Sequence, residues 1–291
     1  MNGQPNAIDP TRHAPSGPSG HSGYPKPPKP FYARPKVWLT LAVAIVVYAW
    51  AFSGIPFSGI KETAWQVTEA VVGGLFQPDW DYVYLPDGED LLRGLLETLA
   101  IALLGTSISV VLTIPFALWA ARNLVKTRLF SGASTFTLSL IRTFPDIIMA
   151  IIFIKAVGPG AFAGVLTIGI NSIGMLGKLN AEALEDLDMG PSEALKACGA
   201  TRLQTIWHAV VPQAIPFYLS FALFRLEINV RSAAILGAVG AGGIGTPLIF
   251  AMEGRSWDRV GIILLGIILL VTAIDWISGK LRRRLVQGKT R

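Results

Sequence analysis

The sequence is poor in the residues that build disulfides, metal sites and charged surfaces. Its single cysteine, Cys198, excludes a disulfide within the chain. Of its 3 histidines, His13 and His21 lie in a proline-rich stretch without the further ligands that a metal site requires. Charged residues make up 15% of the 291 residues and hydrophobic residues 52%, with a mean hydropathy of +0.50. These shortages exclude an ordinary soluble domain and are typical of a polytopic membrane protein.

Catalytic and nucleic-acid-binding motifs are missing as well. The chain contains no HExxH, no GxSxG and no complete Walker G-x-x-x-x-G-K-S/T sequence. Cys198 and His208 have no third group to orient them, so we interpret both as structural. The net charge of +6 does not indicate nucleic acid, because the basic residues fall at the ends of apolar runs. We therefore expect no catalysis, no metal, no cofactor bound by this chain and no nucleic-acid partner.

Six apolar stretches are candidates for crossing a bilayer core, which needs roughly 20 residues of helix. The second and fifth exceed this minimum, so we expect them to tilt or to project beyond the lipid. The sequence thus predicts an all-α polytopic membrane protein with about six transmembrane helices. The stretches are Val37–Ser53, Leu91–Ala121, Ser134–Val157, Ala161–Leu179, Pro212–Val239 and Val260–Ile277.

Composition divides the chain into four segments. Residues 1–36 are rich in Pro, Gly, Ser and His and too poor in apolar residues to fold, which predicts a disordered tail. Residues 37–90 hold the first span and an acidic loop with scattered aromatic residues. That loop suits either an external docking surface or a solvated connection with interfacial anchors. Residues 91–279 form the core membrane domain, and residues 280–291 form a basic tail.

The distribution of Lys and Arg predicts the orientation, because these residues are enriched on the cytoplasmic side. Of the 25 basic residues, 3 lie within spans, 5 lie on the side opposite the amino terminus and the remaining 17 lie on the amino-terminal side. We therefore expect both termini in the cytoplasm. The 5 residues on the opposite side are Lys61, Arg93, Lys155, Arg255 and Arg259.

A charged patch lies inside the third predicted span. An arginine at a span centre costs roughly 2.5–3.5 kcal/mol on insertion scales, so Arg142 should face a protein interior or a wet path. Pro145 predicts a kink, and Asp146 follows Arg142 at the spacing of an ion pair within one helix. The alternative is that Arg142 snorkels toward the cytoplasmic side.

The fifth predicted span carries the sequence R-L-E-I-N-V-R, which contains Arg225, Glu227, Asn229 and Arg231. Glu227 and Arg231 have the spacing of a helical ion pair, whose formation would leave the charge of Arg225 uncompensated. A net positive site inside a membrane suits an anion pathway. Ion pairs that join helices or protomers are the alternative, and the residues alone do not decide between them.

Five glycines in nine residues, Gly237–Gly245, follow this span. So many glycines do not form a stable ordinary helix, and they favour unwound backbone beside a cavity or close helix contacts. We take Gly242 and Gly243 as candidate gate residues. A phosphate-binding loop is excluded, since Thr246 and Pro247 stand near the place where Lys-Ser/Thr would be needed.

A polar segment lies between the fourth and fifth spans. Residues Glu193–Cys198 favour a helix, Gly199 favours a bend, and a second short amphipathic piece leads to Pro212. This pattern predicts a helix–Gly–helix elbow over residues 182–211, outside the lipid. Such an elbow must dock on another protein, unless it is an ordinary interhelical loop.

This elbow resembles the EAA loop of the membrane subunits of ABC importers, with conservative departures at Leu195 and Val211. The matching residues are Glu193, Ala194, Gly199, Ile206 and Pro212. The run Gly177–Gly245 further resembles the phosphonate/phosphite-type permeases, and the patch Arg142–Pro145 fits the same family. The resemblance covers residues 91–277, and the proline-rich tail lies outside it.

The resemblance implies a type I ABC importer permease fold in a bacterial inner membrane, usually as a homodimer. Two cytoplasmic ATPase subunits, which carry ATP and Mg, would each receive one elbow, and an external binding protein would deliver a phosphonate, phosphite or related oxyanion. We expect the five EAA-type residues to couple the chain to the ATPase. The expected pathway or gate residues are Arg142, Pro145, Arg225, Glu227, Asn229, Arg231, Gly242 and Gly243.

Two other function classes stay open. A secondary anion transporter driven by an ion gradient should show inverted repeats and a midplane ion site. An intramembrane hydrolase should show a catalytic set. We recognise neither feature in the sequence, and the elbow argues for the ABC importer.

Overall fold

All regular secondary structure is helical in the residues that the computed structural model describes, which are 35–54, 64–86, 90–125 and 127–286. Residues 1–34 of the predicted tail lie outside these ranges. The helices are α1 (Pro35–Ser53), α2 (Ala64–Phe76), a 3₁₀ turn (Trp80–Val83), α3 (Leu91–Ala120), α4 (Arg128–Thr143), α5 (Asp146–Val157), α6 (Ala161–Glu185), α7 (Gly190–Ala197), α8 (Arg202–Thr205), a π turn (Ile206–Val210), α9 (Val211–Gly237), α10 (Gly245–Glu253) and α11 (Trp257–Val286).

Five helical runs are long and apolar enough to cross a membrane, and the bent pair α4–α5 makes six if it counts as one span. This confirms the prediction of about six spans. The longest run covers 36 residues, Arg202–Gly237, because α8, the π turn and α9 follow one another without a gap. At about 1.5 Å per residue it reaches roughly 54 Å, so it exceeds the roughly 30 Å of a hydrocarbon core.

The chain divides into two units, residues 1–62 and 63–291. In the first unit the described helix is α1, which is apolar along its 19 residues. The second unit begins well before residue 91, the predicted start of the core, because α2 and the 3₁₀ turn pack against α11. At the other end α11 continues to Val286, so the predicted boundary at residue 280 falls inside a helix.

The predicted third span, Ser134–Val157, is not a single straight helix. Two residues separate α4 from α5, and the helices bend by 87° there. Pro145 explains the break, since it has no N–H to donate and restricts Phe144 to extended backbone (φ −78°, ψ 124°). Arg142 and Asp146 therefore belong to different helices, and the predicted ion pair between them does not form.

Residues 238–244 connect α9 to α10 without helix, and we call them the glycine loop. Gly240, Gly242 and Gly243 have φ values of 95°, 82° and 77°, a left-handed conformation that glycine adopts without a steric cost. A Cβ at Gly242 would lie 2.6 Å from the backbone nitrogen of Ala161, so the loop also packs too closely for a side chain. The prediction that this run leaves the ordinary helix is confirmed.

Helix α6 is central to the second unit, because it packs against α3, α4, α5 and α9. Small residues make this closeness sterically feasible, as is usual between membrane helices. A Cβ built at Gly174 of α6 would lie 2.8 Å from the carbonyl oxygen of Leu138 on α4. One buried cluster joins α3, α5, α6 and α9 to the glycine loop, and its members are Ile101, Ala102, Ala150, Val165, Ile168, Val230, Ala233, Leu236 and Ala241.

Replacing Gly164 tests this close packing. A Cβ there would lie 2.5 Å from the carbonyl oxygen of Ala241 in the glycine loop, so Gly164→Ala should destabilise the protein by about 1–3 kcal/mol. Gly279→Ala is the matched control, because its Cβ would meet nothing within 4 Å on α11. Thermal unfolding of the detergent-purified protein measures both. Equal melting temperatures for the two variants would show that the contact carries no packing constraint.

Candidate functional site

The elbow consists of α7 and α8, joined by a turn at Gly199. Gly199 has a φ of 83°, and its N–H donates to the carbonyl of Lys196 at 3.0 Å. The N–H of Ala200 donates to the carbonyl of Leu195, also at 3.0 Å. These two bonds form the Schellman closure that ends a helix at a left-handed residue, which explains why a glycine stands there. The structure thus contains the helix–Gly–helix arrangement.

Hydrogen bonds fix the elbow to the connection between α3 and α4. The backbone N–H of Arg122 donates to the Glu185 carboxylate at 2.8 Å, just before the elbow helices. From the far side, the Arg202 guanidinium donates to the carbonyl of Leu124. Because hydrogen bonds reach this connection from both α6 and α8, the position of the elbow is restrained at both of its ends.

A π turn joins the elbow to α9. The N–H of Val211 donates to the carbonyl of Ile206, which is the widened π spacing. Pro212 and Pro216 follow within the continuing helix, where neither has an N–H to donate to the preceding turn. Because the helix continues through the π turn, α8 and α9 form one uninterrupted run, whereas the turn at Gly199 separates α7 from it.

The outer surface of the elbow is partly apolar. Glu193 and Ala194 are exposed, while Ile206 is half-buried. Leu203 and Trp207 are 78% and 67% exposed, although both side chains are large and apolar. They stand one helical turn apart and form an exposed apolar pair, which suits a docking surface.

A second feature is a cavity of about 320 Å³ at the break between α4 and α5, which we call the arginine cavity. Both Arg142 and Arg225 line it, so the structure brings together two residues from different predicted spans. The first turn of α5 also borders it, and free N–H groups at a helix start favour negative charge. The lining residues are Arg142, Thr143, Phe144, Pro145, Asp146, Asn171, Met175 and Arg225.

Arg225 is 7% exposed and is held by neutral groups. Its Nε donates to the Ser172 hydroxyl at 2.9 Å, and its Nη1 lies 3.3 Å from the Met175 sulfur. Asn229 is fully buried and fixes Ser172 in turn, donating to it at 3.0 Å and to Thr106 at 2.8 Å. Among the described residues no carboxylate oxygen lies within the 4.0 Å of an ion pair with Arg225.

The predicted pair of Glu227 with Arg231 is wrong. Both side chains turn toward α11, where the Arg231 guanidinium bonds both carboxylate oxygens of Asp275 at 3.1 and 3.2 Å. Glu227 lies 3.9 Å from Arg282 of α11. Arg231 and Glu227 of α9 therefore each face an opposite charge on α11 instead of each other. The spacing of residues within α9 does not reveal this arrangement.

The glycine loop borders a different cavity of about 660 Å³, at the end of α9 away from the elbow. Gly242 and Gly243 line it together with Asp90, Arg93 and Glu97 of the α3 start. Thr98 holds the loop in place by accepting the N–H of Ile244 at 2.8 Å. The cavity has mixed charge and no obvious preference for anions.

The family assignment follows from comparison with known proteins. A family model described as the inner membrane component of binding-protein-dependent transport systems matches residues 113–287, which is more than half of the chain. The chain belongs to this family. It is therefore a multi-pass inner-membrane transport component, and the subunit is not itself an ATPase.

Two relatives of this chain are named as permease proteins of transport systems. The phosphite transport system permease protein PtxC of Stutzerimonas stutzeri is 44% identical over 66% of this chain and 70% of its own length. The putative phosphite transport system permease protein HtxC of the same organism is 34% identical over 86% of each chain. Both matches are broad enough to support family membership independently.

A solved structure confirms the predicted permease fold. The inward-facing MetNI methionine ABC transporter matches with a TM-score of 0.60 and 23% identity, over 67% of this chain and 96% of the compared chain. At this identity the match shows the fold alone. The all-helical architecture with its broken span is therefore the permease fold of ABC importers.

The sequence interpretation missed several residues of these two sites. Leu203 and Trp207 were detectable as an apolar pair one turn apart in a polar segment. Asn171 and Ser172 gave no signal, because single polar residues on α6 resemble ordinary helix positions until α9 packs beside them. Asn229, predicted in the pathway, is fully buried and lies behind Arg225 rather than on the cavity surface.

Substitutions at Gly199 test whether transporter activity depends on the left-handed turn of the elbow. A Cβ there would meet nothing within 4 Å, so any loss comes from backbone strain rather than crowding. Gly199→Ala should cost roughly 1–2 kcal/mol of left-handed strain, whereas Gly199→Asn should cost less because Asn tolerates this conformation. We expect substrate-stimulated ATPase activity of the assembled transporter to fall in the order Gly, Asn, Ala. Equal activity of all three would contradict a role for the turn, and Gly279→Ala serves as the control.

Proposed function

We propose that this chain is the permease of an ABC importer that passes a small phosphorus oxyanion, such as phosphite or a phosphonate, into the cytoplasm. One observation carries the proposal. Arg225 is almost completely buried, forms no ion pair among the described residues and borders a cavity that a second arginine shares. Asp146 is the one carboxylate in the described part of the chain that lines this cavity, so two guanidinium groups face a single negative charge. A net positive charge at such depth is costly, and an anion that enters the cavity would offset that cost.

The chemistry of the arginine cavity supports an oxyanion. Guanidinium groups present planar pairs of donors that match tetrahedral oxyanions, and Arg142 and Arg225 supply two of them. The first turn of α5 adds the positive end of a helix. The names of the two Stutzerimonas relatives, which refer to phosphite transport, agree with this substrate class.

Within this proposal the predicted pathway residues have different roles. Arg142, Pro145 and Arg225 line the substrate site, and Asn229 positions Arg225 through Ser172. Glu227 and Arg231 face charged residues of α11, so they attach α9 to α11 and do not contact the substrate. The glycine loop with Gly242 and Gly243 forms the gate at the external end.

Coupling would run through the elbow to two cytoplasmic ATPase subunits that bind ATP and Mg. Glu193 and Ala194 offer an exposed helix for docking, and the apolar pair Leu203 and Trp207 would extend the contact. Gly199 sets the angle of the elbow, and Ile206 and Pro212 lead into α9. The uninterrupted run from residue 202 to 237 supports direct transmission of ATPase motion to Arg225.

The proposed assembly is a homodimer with both termini of each chain in the cytoplasm and a binding protein on the external face. The excess of basic residues on the amino-terminal side supports this orientation. In it, residues 1–36 and 280–291 are cytoplasmic, residues 37–90 face outward after the first span, and residues 91–279 form the permease core. The native mass of the purified complex reports the number of permease copies.

Substitutions at Arg225 test the substrate site. Arg225→Gln should leave complex assembly intact but reduce phosphite uptake by roughly tenfold or more, because it removes a charge-assisted bond to substrate. Arg225→Lys should retain partial transport if charge matters more than the guanidinium fork. Pull-down with the ATPase and radiolabelled uptake are measured side by side, with the exposed Arg283→Gln as control. Parallel loss of complex and uptake would show that Arg225 is structural glue instead.

The lone cysteine tests the orientation. Cys198 is exposed on the elbow, so a membrane-impermeant maleimide should label it only after the membrane is opened. A cysteine replacing the exposed Glu253, in a Cys198→Ser background, should react in intact cells. The reverse pattern would overturn the orientation and the docking argument together.

A further inference from the structure

Asp146 is an unexpected member of a cavity that otherwise favours anions. Its carboxylate lines the arginine cavity, where its field acts on Arg225 although the two do not form an ion pair. The amide of Asn171 donates to one carboxylate oxygen. The hydroxyl of Ser232 donates to the other at 3.3 Å. Donors from α6 and α9 thus fix a negative group beside two arginines.

An ionised carboxylate accepts hydrogen bonds and donates none. Each oxygen of Asp146 accepts one bond from the protein, and a carboxylate oxygen has room for a second. An oxyanion held by the arginines would therefore meet Asp146 in one of two ways. A hydroxyl on the anion would donate to Asp146, whereas a bare oxygen would face it with like charge.

Phosphorus and sulfur oxyanions differ in this respect. The second pKa of a phosphate monoester is about 6, so the monoanion that still carries a hydroxyl proton is present beside the dianion near neutral pH. Sulfate and sulfonates have the same tetrahedral shape but carry no proton under these conditions. Two arginines and a helix start would attract both classes, whereas Asp146, the one carboxylate among the described residues that line the cavity, would distinguish them.

We propose that Asp146 makes the arginine cavity selective for oxyanions that carry a hydroxyl proton, such as the monoanions of phosphite and phosphonates, over sulfate and sulfonates. This inference rests on the proposed function, because it deepens the role of the same cavity. It assigns specificity to the permease in addition to whatever selection the binding protein exerts.

Methylphosphonate and methanesulfonate form a matched pair of probes. As monoanions they have the same charge and nearly the same shape, and they differ by the one hydroxyl proton. The permease–ATPase complex, reconstituted in nanodiscs without the binding protein, is titrated with each probe in ¹⁴C-labelled form. We expect methylphosphonate to bind at least roughly tenfold more tightly, the size of one hydrogen bond to a charged group.

The Asp146→Asn variant should bring the two affinities together, mainly by improving methanesulfonate binding, because an amide also donates. The Asn carbonyl oxygen can still accept from Asn171, and its amide N–H can donate to the Ser232 hydroxyl, which then accepts, so the local geometry is retained. Asp258→Asn on the exposed start of α11 removes the same charge elsewhere and should leave the ratio unchanged.

Each outcome has a defined meaning. Equal binding of the two probes by the unaltered complex would overturn the selectivity while leaving the oxyanion site in place. If Asp146→Asn raised the affinity for both probes equally, Asp146 would act only through its negative charge, and the inference would also be rejected. Binding of neither probe, or binding that persists in Arg225→Gln, would reject the cavity as the substrate site and with it the proposed function of Arg225. If Asp146→Asn fails to assemble, the unaltered complex alone decides.

Discussion

The buried chain of polar contacts from Arg225 through Ser172 and Asn229 to Thr106 is the interaction on which the rest of this membrane core depends. It joins α9, α6 and α3 with bonds of 2.8 to 3.0 Å. In a protein interior each of these groups would be costly if left unpaired, so the chain fixes the mutual rotation of three helices. Because that rotation is fixed, the Arg225 guanidinium faces the arginine cavity, and α9 cannot turn it toward lipid without breaking every link.

The same helix that carries Arg225 is continuous with α8 of the elbow. A continuous run from the elbow through the π turn to the glycine loop connects three features that would otherwise need separate mechanical links. Its side toward α11 is held by Arg231 with Asp275 and by the close approach of Arg282 to Glu227. Displacement of α8 would therefore be transmitted along the whole of α9, to the arginine cavity and to the glycine loop alike.

Local sequence signals predicted those parts of the fold whose causes are local. The predicted second span, Leu91–Ala121, differs from α3 by one residue, because apolar length alone defines it. The bend at Gly199 and the glycine loop were predictable because left-handed backbone favours glycine. Ion pairs between residues distant in sequence were not predictable. Arg231 pairs with Asp275, 44 residues away, instead of with Glu227 one turn before it. Pro145 predicted a kink, but the size of the 87° bend between α4 and α5 depends on the helices that pack around it.

The contacts made by glycine on α6 limit how this molecule can change shape. At Gly164 the glycine loop, and at Gly174 helix α4, lie closer to α6 than a methyl group allows, so sliding either one past α6 would bring it against a side chain of α6. These contacts therefore resist relative movement of α6, the adjoining part of α4 and the glycine loop. The two-residue break at Phe144 and Pro145 lies where α4 ends, so the arginine cavity stands at the edge of this closely packed region.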